Sequence, residues 1–308
     1  MGQSSEEFDV YDGEIAVTRL CVDVTVYWRG SSFDHVDSIR RFYDRALAEI
    51  ADEVKFFRTG SMSSAKKVRA DTLKMVPRWF SDPKRRPDMY MMSLECGSRP
   101  DELSDRGLRL VADEEDEEPV GALQLYLPVS FISDGASRLL GLTGELVSEG
   151  SFESGHAGYS LNWDHLGEHA FDATAKMFDV SRRYLGVDLF DLDATLFSMR
   201  TTHPSALKCV NWLTILGNSL TERVGGSQEL SKQLGDDCEV REVPGATIIR
   251  AGAAPTTGDR KLQKELVPYR RVGKVLAEFR IRDHGPMFDS PGEPSIDPTS
   301  RWLGRFDE

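Results

Sequence analysis

The sequence predicts an α+β fold in which a mixed, mainly antiparallel sheet is packed by amphipathic helices, and three observations carry that reading. Strand-period and helix-period segments follow one another irregularly, without the strict alternation of a parallel doubly wound sheet. From Ile15 to Trp28, residues Leu20, Val22, Val24, Val26 and Trp28 share one parity while Asp23 and Thr25 hold the other, the period of a long half-buried strand. Soon after it, Val36, Ile39, Phe42, Tyr43, Ala46, Leu47, Ile50 and Val54 recur at helical spacing, and Asp34 stands where an N-cap belongs.

The remaining elements follow in order. The runs Tyr90 to Cys96 and Leu123 to Phe131 alternate as strands, and the acidic stretch Asp113, Glu114, Glu115, Asp116, Glu117, Glu118 between them reads as a solvated connection. His156 to Trp163 reads as another strand, Asp164 as the cap of a helix running towards Tyr184, and Leu192 to Met199 and Lys208 to Leu216 as further apolar runs of strand length. Gly217, Gly225 and Gly226 punctuate a helical stretch. Glu239 to Ala251 reads as a hairpin turning at Pro244 and Gly245. Leu266 to Ile281 fits a last helix that tolerates Pro268 only in its first turn. Prolines at 286, 291, 294 and 298 predict an extended segment over 285–298, after which Trp302 and Phe306 dock back. The expected organisation is a flexible N-terminus, residues 1–12, and one domain, 13–308, with 13–150 and 151–308 as candidate strand-helix lobes.

Composition narrows the function classes. With 40% hydrophobic and 29% charged residues over 308 positions, the chain has ample material for a core and none of the signature of disorder. Lys+Arg 38 against Asp+Glu 51 gives 38 − 51 = −13, a balance that repels phosphate backbones and anionic membranes and attracts a basic protein. Direct nucleic-acid and membrane contact are therefore not expected. The start lacks a basic n-region and an apolar h-region, and Cys21, Cys96, Cys209 and Cys238 are scattered without a C-x-x-C pair; both features suit reduced thiols in the cytoplasm.

Catalytic patterns are sparse. The Walker, dinucleotide-binding and nucleophile-elbow signatures are all missing. One formal match exists: His165, Glu168 and His169 spell H-x-x-E-H, which on a helix sets two histidines one turn apart to share a zinc ion with Glu168 as general base. Gly167 in the helical interior and the want of a third ligand weigh against it, and Leu166, Ala170, Ala173 and Met177 give the same helix an ordinary buried stripe. Pro87-Asp88, Pro100-Asp101 and Asp259 to Lys261 resemble fragments of a two-metal nuclease but lie far apart in turn-like sequence. The expectation is therefore no enzyme, no catalytic residues, no metal and no cofactor. The run from Asp113 to Glu118, if extended, spaces its charges at about 3.3 Å per residue, close to the phosphate spacing of one DNA strand, and so suits the cationic cleft of a nuclease. Asp188, Asp191 and Asp193 form a second acidic group that could face a partner.

Several segments of the second half, taken in order, resemble a known family. They are Gly155 to Ser160, Arg183 to Asp188, Val210 to Gly217, Val224 to Gly226, Arg250 to Asp259 and Arg301 to Asp307. Together they are similar to the type VI secretion immunity proteins of TsiV and TsiT type. The resemblance implies an antitoxin that binds a cognate type VI effector toxin, nucleases among them, and blocks it in the producer's cytoplasm. It carries no catalytic residues onto this chain. A zinc hydrolase built on 165–169 and an effector adaptor that does not inhibit are the competing readings.

Overall fold

The long strand predicted from the parity of residues 15–28 sets the frame for everything else. A computed structural model describes residues 7–81, 88–100, 102–115, 117–163, 170–201, 207–262, 266–282, 284, 287 and 298–307. In chain order the strands are β1 Val10–Asp12, β2 Ile15–Arg29, β3 Phe56–Thr59, β4 Lys66–Lys67, β5 Met89–Glu95, β6 Gly107–Asp113, β7 Val120–Pro128, β8 Ser154–Trp163, β9 Asp188–Leu189, β10 Leu213–Gly217, β11 Cys238–Val243 and β12 Ala246–Ala251. The helices are α1 Val36–Ile50, α2 Met75–Trp79, α3 Ser137–Val147, α4 Ala170–Arg183, α5 Leu192–Thr201, α6 Asn218–Arg223, α7 Ser227–Leu234, α8 Val267–Val275 and α9 Pro298–Leu303.

All twelve strands among the described residues join one sheet, in the order β11-β12-β10-β8-β2-β7-β6-β5-β3-β4, with β1 on β2 and β9 on β8. Every pairing is antiparallel except β8 with β9. The sheet runs unbroken through the sequence midpoint, because β2 pairs along ten residues with β8. Within the N-terminal segment 1–12, Phe8 is buried and β1 pairs with β2.

Strand β2 is central, and both of its faces are covered. Val22, Val24, Val26 and Trp28 meet Ile39, Phe42 and Tyr43 of α1 and Leu139, Leu142 and Leu146 of α3 in the main core, which continues to Leu220, Leu230 and Leu234 of α6 and α7. The opposite face was expected to see solvent. It is buried as well, under α4 and α5: Val17 and Cys21 join a cluster with Met177 and Val180, and Tyr27 joins Val111, Ala122, Leu196 and Met199. Between these apolar ends lie Asp23 and Thr25, both buried.

Two local expectations are corrected. Asp34 does not cap α1; it closes a short 3-10 turn whose start is capped by Ser31, and His35 occupies the N-cap position without a side-chain bond to the helix. Leu192 to Met199 is not a strand but the body of α5, because Asp191 Oδ1 accepts a hydrogen bond from Ala194 N at 3.0 Å and Leu192, Leu196 and Met199 fall on one helical face. The hairpin β11–β12 turns at Pro244 and Gly245, where φ of 89° at Gly245 takes the left-handed conformation that glycine tolerates. Pro268 is the second residue of α8, where its missing N–H costs no hydrogen bond. Trp302 and Phe306 are buried, as expected of a returning C-terminus; most of 285–298 lies outside the described residues. Among the described residues no helix is long and apolar enough to cross a membrane.

Candidate functional site

Two polar features stand out on the α5 side of the sheet, one closed and one open. The closed one is a charge cluster at the middle of the covered face. Asp23 Oδ2 accepts hydrogen bonds from Thr25 Oγ1 at 2.7 Å and Gln124 Nε2 at 3.1 Å, and its Oδ1 accepts from Ser160 Oγ at 2.5 Å. His156 Nε2 lies 3.6 Å from Asp23 and 3.0 Å from Asp188 Oδ2. Lys208 Nζ donates to Asp188 Oδ2 at 2.9 Å and to the Leu189 carbonyl, and Cys209 Sγ donates to Asp188 Oδ1 at 3.3 Å. Register explains the assembly: Thr25 pairs with both Gln124 and His156 on one rung of the sheet, and β9 delivers Asp188 alongside β8.

Electrostatics make this cluster self-contained. Burial disfavours a charged imidazole, but the carboxylates of Asp188 and Asp23 outweigh it and raise the pKa of His156 to about 9. Burial likewise works against the Asp188 carboxylate, and Lys208 with His156 overcomes it and holds the group well below the usual range. Burial and Asp188 push the Cys209 thiol up to about 12. His156, Asp188 and Cys209 place their ligand atoms within 4.8 Å of one another, a spacing compatible with a metal ion. The cluster fits one poorly, because the Lys208 ammonium already pairs with Asp188 at 2.9 Å and would stand beside any cation held there.

The open feature is the connection between β6 and β7. Its first two acids are turned to structural use. Asp113 pairs with Arg200 of α5 at 3.0 Å, and Glu114 accepts hydrogen bonds from Ser31 Oγ at 2.8 Å and Ser32 N at 2.7 Å. These contacts clamp the base of the hairpin to the end of β2 and to α5. Glu115, Glu117 and Glu118 are exposed and form no ion pair among the described residues, while Asp116 lies outside those residues. The run is a strand end followed by a short loop, so it is not an extended ladder of charges with phosphate spacing.

The second acidic group is divided. Asp188 is fully buried in the charge cluster and cannot meet a partner; Asp191 caps α5; Asp193 is exposed on its first turn. His165, Glu168 and His169 lie outside the described residues, while Ala173 and Met177 of the helix that follows are buried in the expected stripe. Sequence reasoning missed the charge cluster because Asp23 and Thr25 sit on the parity that alternation assigns to solvent. Lys208 at the head of an apolar run was the available signal.

Several of the segments that carried the family resemblance touch one another. Arg183 makes a two-pronged contact with Asp259, at 3.1 and 2.8 Å, and Gly186 N donates to the Thr257 carbonyl at 2.9 Å. Arg305 Nε reaches the Leu185 carbonyl at 2.8 Å, and Asn211 Nδ2 donates to the Tyr159 carbonyl at 3.2 Å. These segments thus form structural seams between parts of the chain distant in sequence.

Comparison with known proteins accords with this architecture. The family model described as TsiV, type VI immunity for VRR-NUC, matches residues 39–306. A solved structure titled Pseudomonas aeruginosa T6SS protein PA0821 is similar in fold, with a TM-score of 0.78 at 16% identity, over 95% of this chain and 83% of that one. A complex of the toxic C-terminal tip of CdiA from Pseudomonas aeruginosa with its immune protein matches at 16% identity over 46% of this chain and 86% of that one, with a TM-score of 0.25, too low to relate the folds. No curated protein matches the chain. A family match spanning most of the sequence places the chain plainly: it belongs to the TsiV family of type VI immunity proteins.

Proposed function

We propose that this immunity protein neutralises a VRR-NUC-type nuclease toxin in the cytoplasm of the cell that makes it, without catalysis of its own, by presenting the acidic β6–β7 tip to the toxin's cationic cleft. The observation that carries the reading is the clamped hairpin: Asp113 and Glu114 are spent on fixing its base, while Glu115, Glu117 and Glu118 are exposed and form no close ion pair among the described residues, Arg29 acting on Glu118 only at longer range. An acidic tip on a chain of charge −13 raises the encounter rate with a basic surface and repels nucleic acid itself. The family's description supports a nuclease as the toxin.

Co-expression tests it. The chain and the VRR-NUC toxin of its own genome are produced together, and growth, genome integrity and complex formation are measured. Survival with an intact genome and a stoichiometric complex is the expected result. A complex that leaves the toxin lethal would instead mark an adaptor.

A further inference from the structure

Across β5 and β6, Met89 pairs with Asp113, so both side chains stand on one face of the sheet, the face that α5 covers through Leu192, Leu196 and Met199. Arg200 of α5 reaches Asp113 with one nitrogen, and its guanidinium carbon lies 5.9 Å from the centre of the Phe197 ring. Strand edge, hairpin base and helix are thereby joined into one strip. Within it two large apolar side chains remain in water: Phe197 is 56% exposed and Met89 50%. Asp193, one turn before Phe197 on the same helical face, is exposed too. A single exposed apolar residue is ordinary, but an aromatic ring restrained by an ion-paired arginine and rimmed by acids has the composition of an interface anchor.

We infer that this strip is the toxin's docking surface, with Phe197 as its apolar anchor; the inference rests on the immunity reading above and assigns the place where it acts. Charge selects the occupant. Asp113 is neutralised by Arg200, whereas Asp193 and the acidic tip have no ion pair among the described residues, so a basic face with an apolar depression complements the strip. A second copy of this chain would set acid against acid at a net charge of −13 each.

The test measures association and dissociation of the full chain with the recombinant VRR-NUC toxin of its own genome, alongside thermal unfolding and sedimentation of the chain alone. Phe197→Ala is expected to weaken binding at least about tenfold, chiefly through faster dissociation, at an unchanged melting temperature. Phe197→Tyr keeps the ring and is expected to stay within about threefold of the parent. If the parent binds and neutralises the toxin and Phe197→Ala binds equally well, the docking surface is wrong and the immunity reading stands. If the parent does not bind the toxin, the immunity reading itself fails. A parent that sediments as a dimer and a Phe197→Ala variant that is monomeric would assign the strip to self-association and overturn the proposal.

Discussion

Asp188 and Lys208 form an ion pair at 2.9 Å in which neither side chain is more than 2% exposed. The pair joins β9 to the segment that leads into β10, and His156 and Cys209 complete its surroundings. Buried charges of this kind stabilise only while every partner is present, since an abandoned charge cannot return to water.

Removing one member should therefore be costly. Asp188→Asn leaves Lys208 and His156 without their shared countercharge and is expected to destabilise the chain by about 3–5 kcal/mol in urea unfolding. The double variant Asp188→Leu with Lys208→Met should recover much of that loss, because an apolar pair leaves less buried charge uncompensated. A double variant as unstable as the single one would contradict the ion-pair account.

Stability should also depend on pH above neutrality. His156 is raised from 6.5 in the unfolded chain to about 9 in the fold, so the folded state binds its proton more tightly. The resulting stabilisation is complete below pH 6.5 and is lost as pH rises through 9, for a difference on the order of 3 kcal/mol. Unfolding free energies measured from pH 6 to 10 should fall across that window. A His156→Gln variant, less stable to begin with, should show a flatter profile.

Gly186 sets a steric test of the seam between the segments around Asp188 and Asp259. A Cβ built on it would lie 2.0 Å from the Thr256 carbonyl oxygen, which is backbone and cannot rotate away. Gly186→Ala is expected to cost about 1–3 kcal/mol or more in chemical denaturation. Gly141, whose added Cβ meets nothing within 4 Å, serves as the control and should accept alanine without loss.

The acidic hairpin separates structural from exposed acids. Glu114→Gln should lower stability by about 1 kcal/mol, because it weakens the charge-assisted bonds to Ser31 and Ser32. Glu115→Gln with Glu117→Gln and Glu118→Gln should leave the melting temperature in place. At low salt the same triple variant should slow association with the toxin about three- to tenfold and flatten its salt dependence. Unchanged kinetics would exclude the tip from the contact.

Much of the fold was written in local patterns. The parity of β2, the helical stripe of α1, the Pro244-Gly245 hairpin and the placement of Pro268 all depend on neighbours within a few residues, and each formed as the spacing required. The ordered segments of the second half identified the family. Where the reading failed, distant contacts decided. Asp23 and Thr25 look solvated because alternation tells only which residues share a face, not whether that face is later covered; α4 and α5, well over a hundred residues away, cover it. Asp188 looks like surface charge until β9 aligns with β8 and Lys208 closes over it. Leu192 to Met199 has the length of a strand, and only the Asp191 cap and the apolar floor under α5 make it a helix, which leaves Phe197 outside and creates the strip beside the hairpin. The sequence by itself determined the elements, the charge and the family, because these reside in composition and short spacing. The tertiary structure decided which acids are buried, which are exposed and which aromatic ring stays in water, because burial is a property of chain segments brought together from far apart.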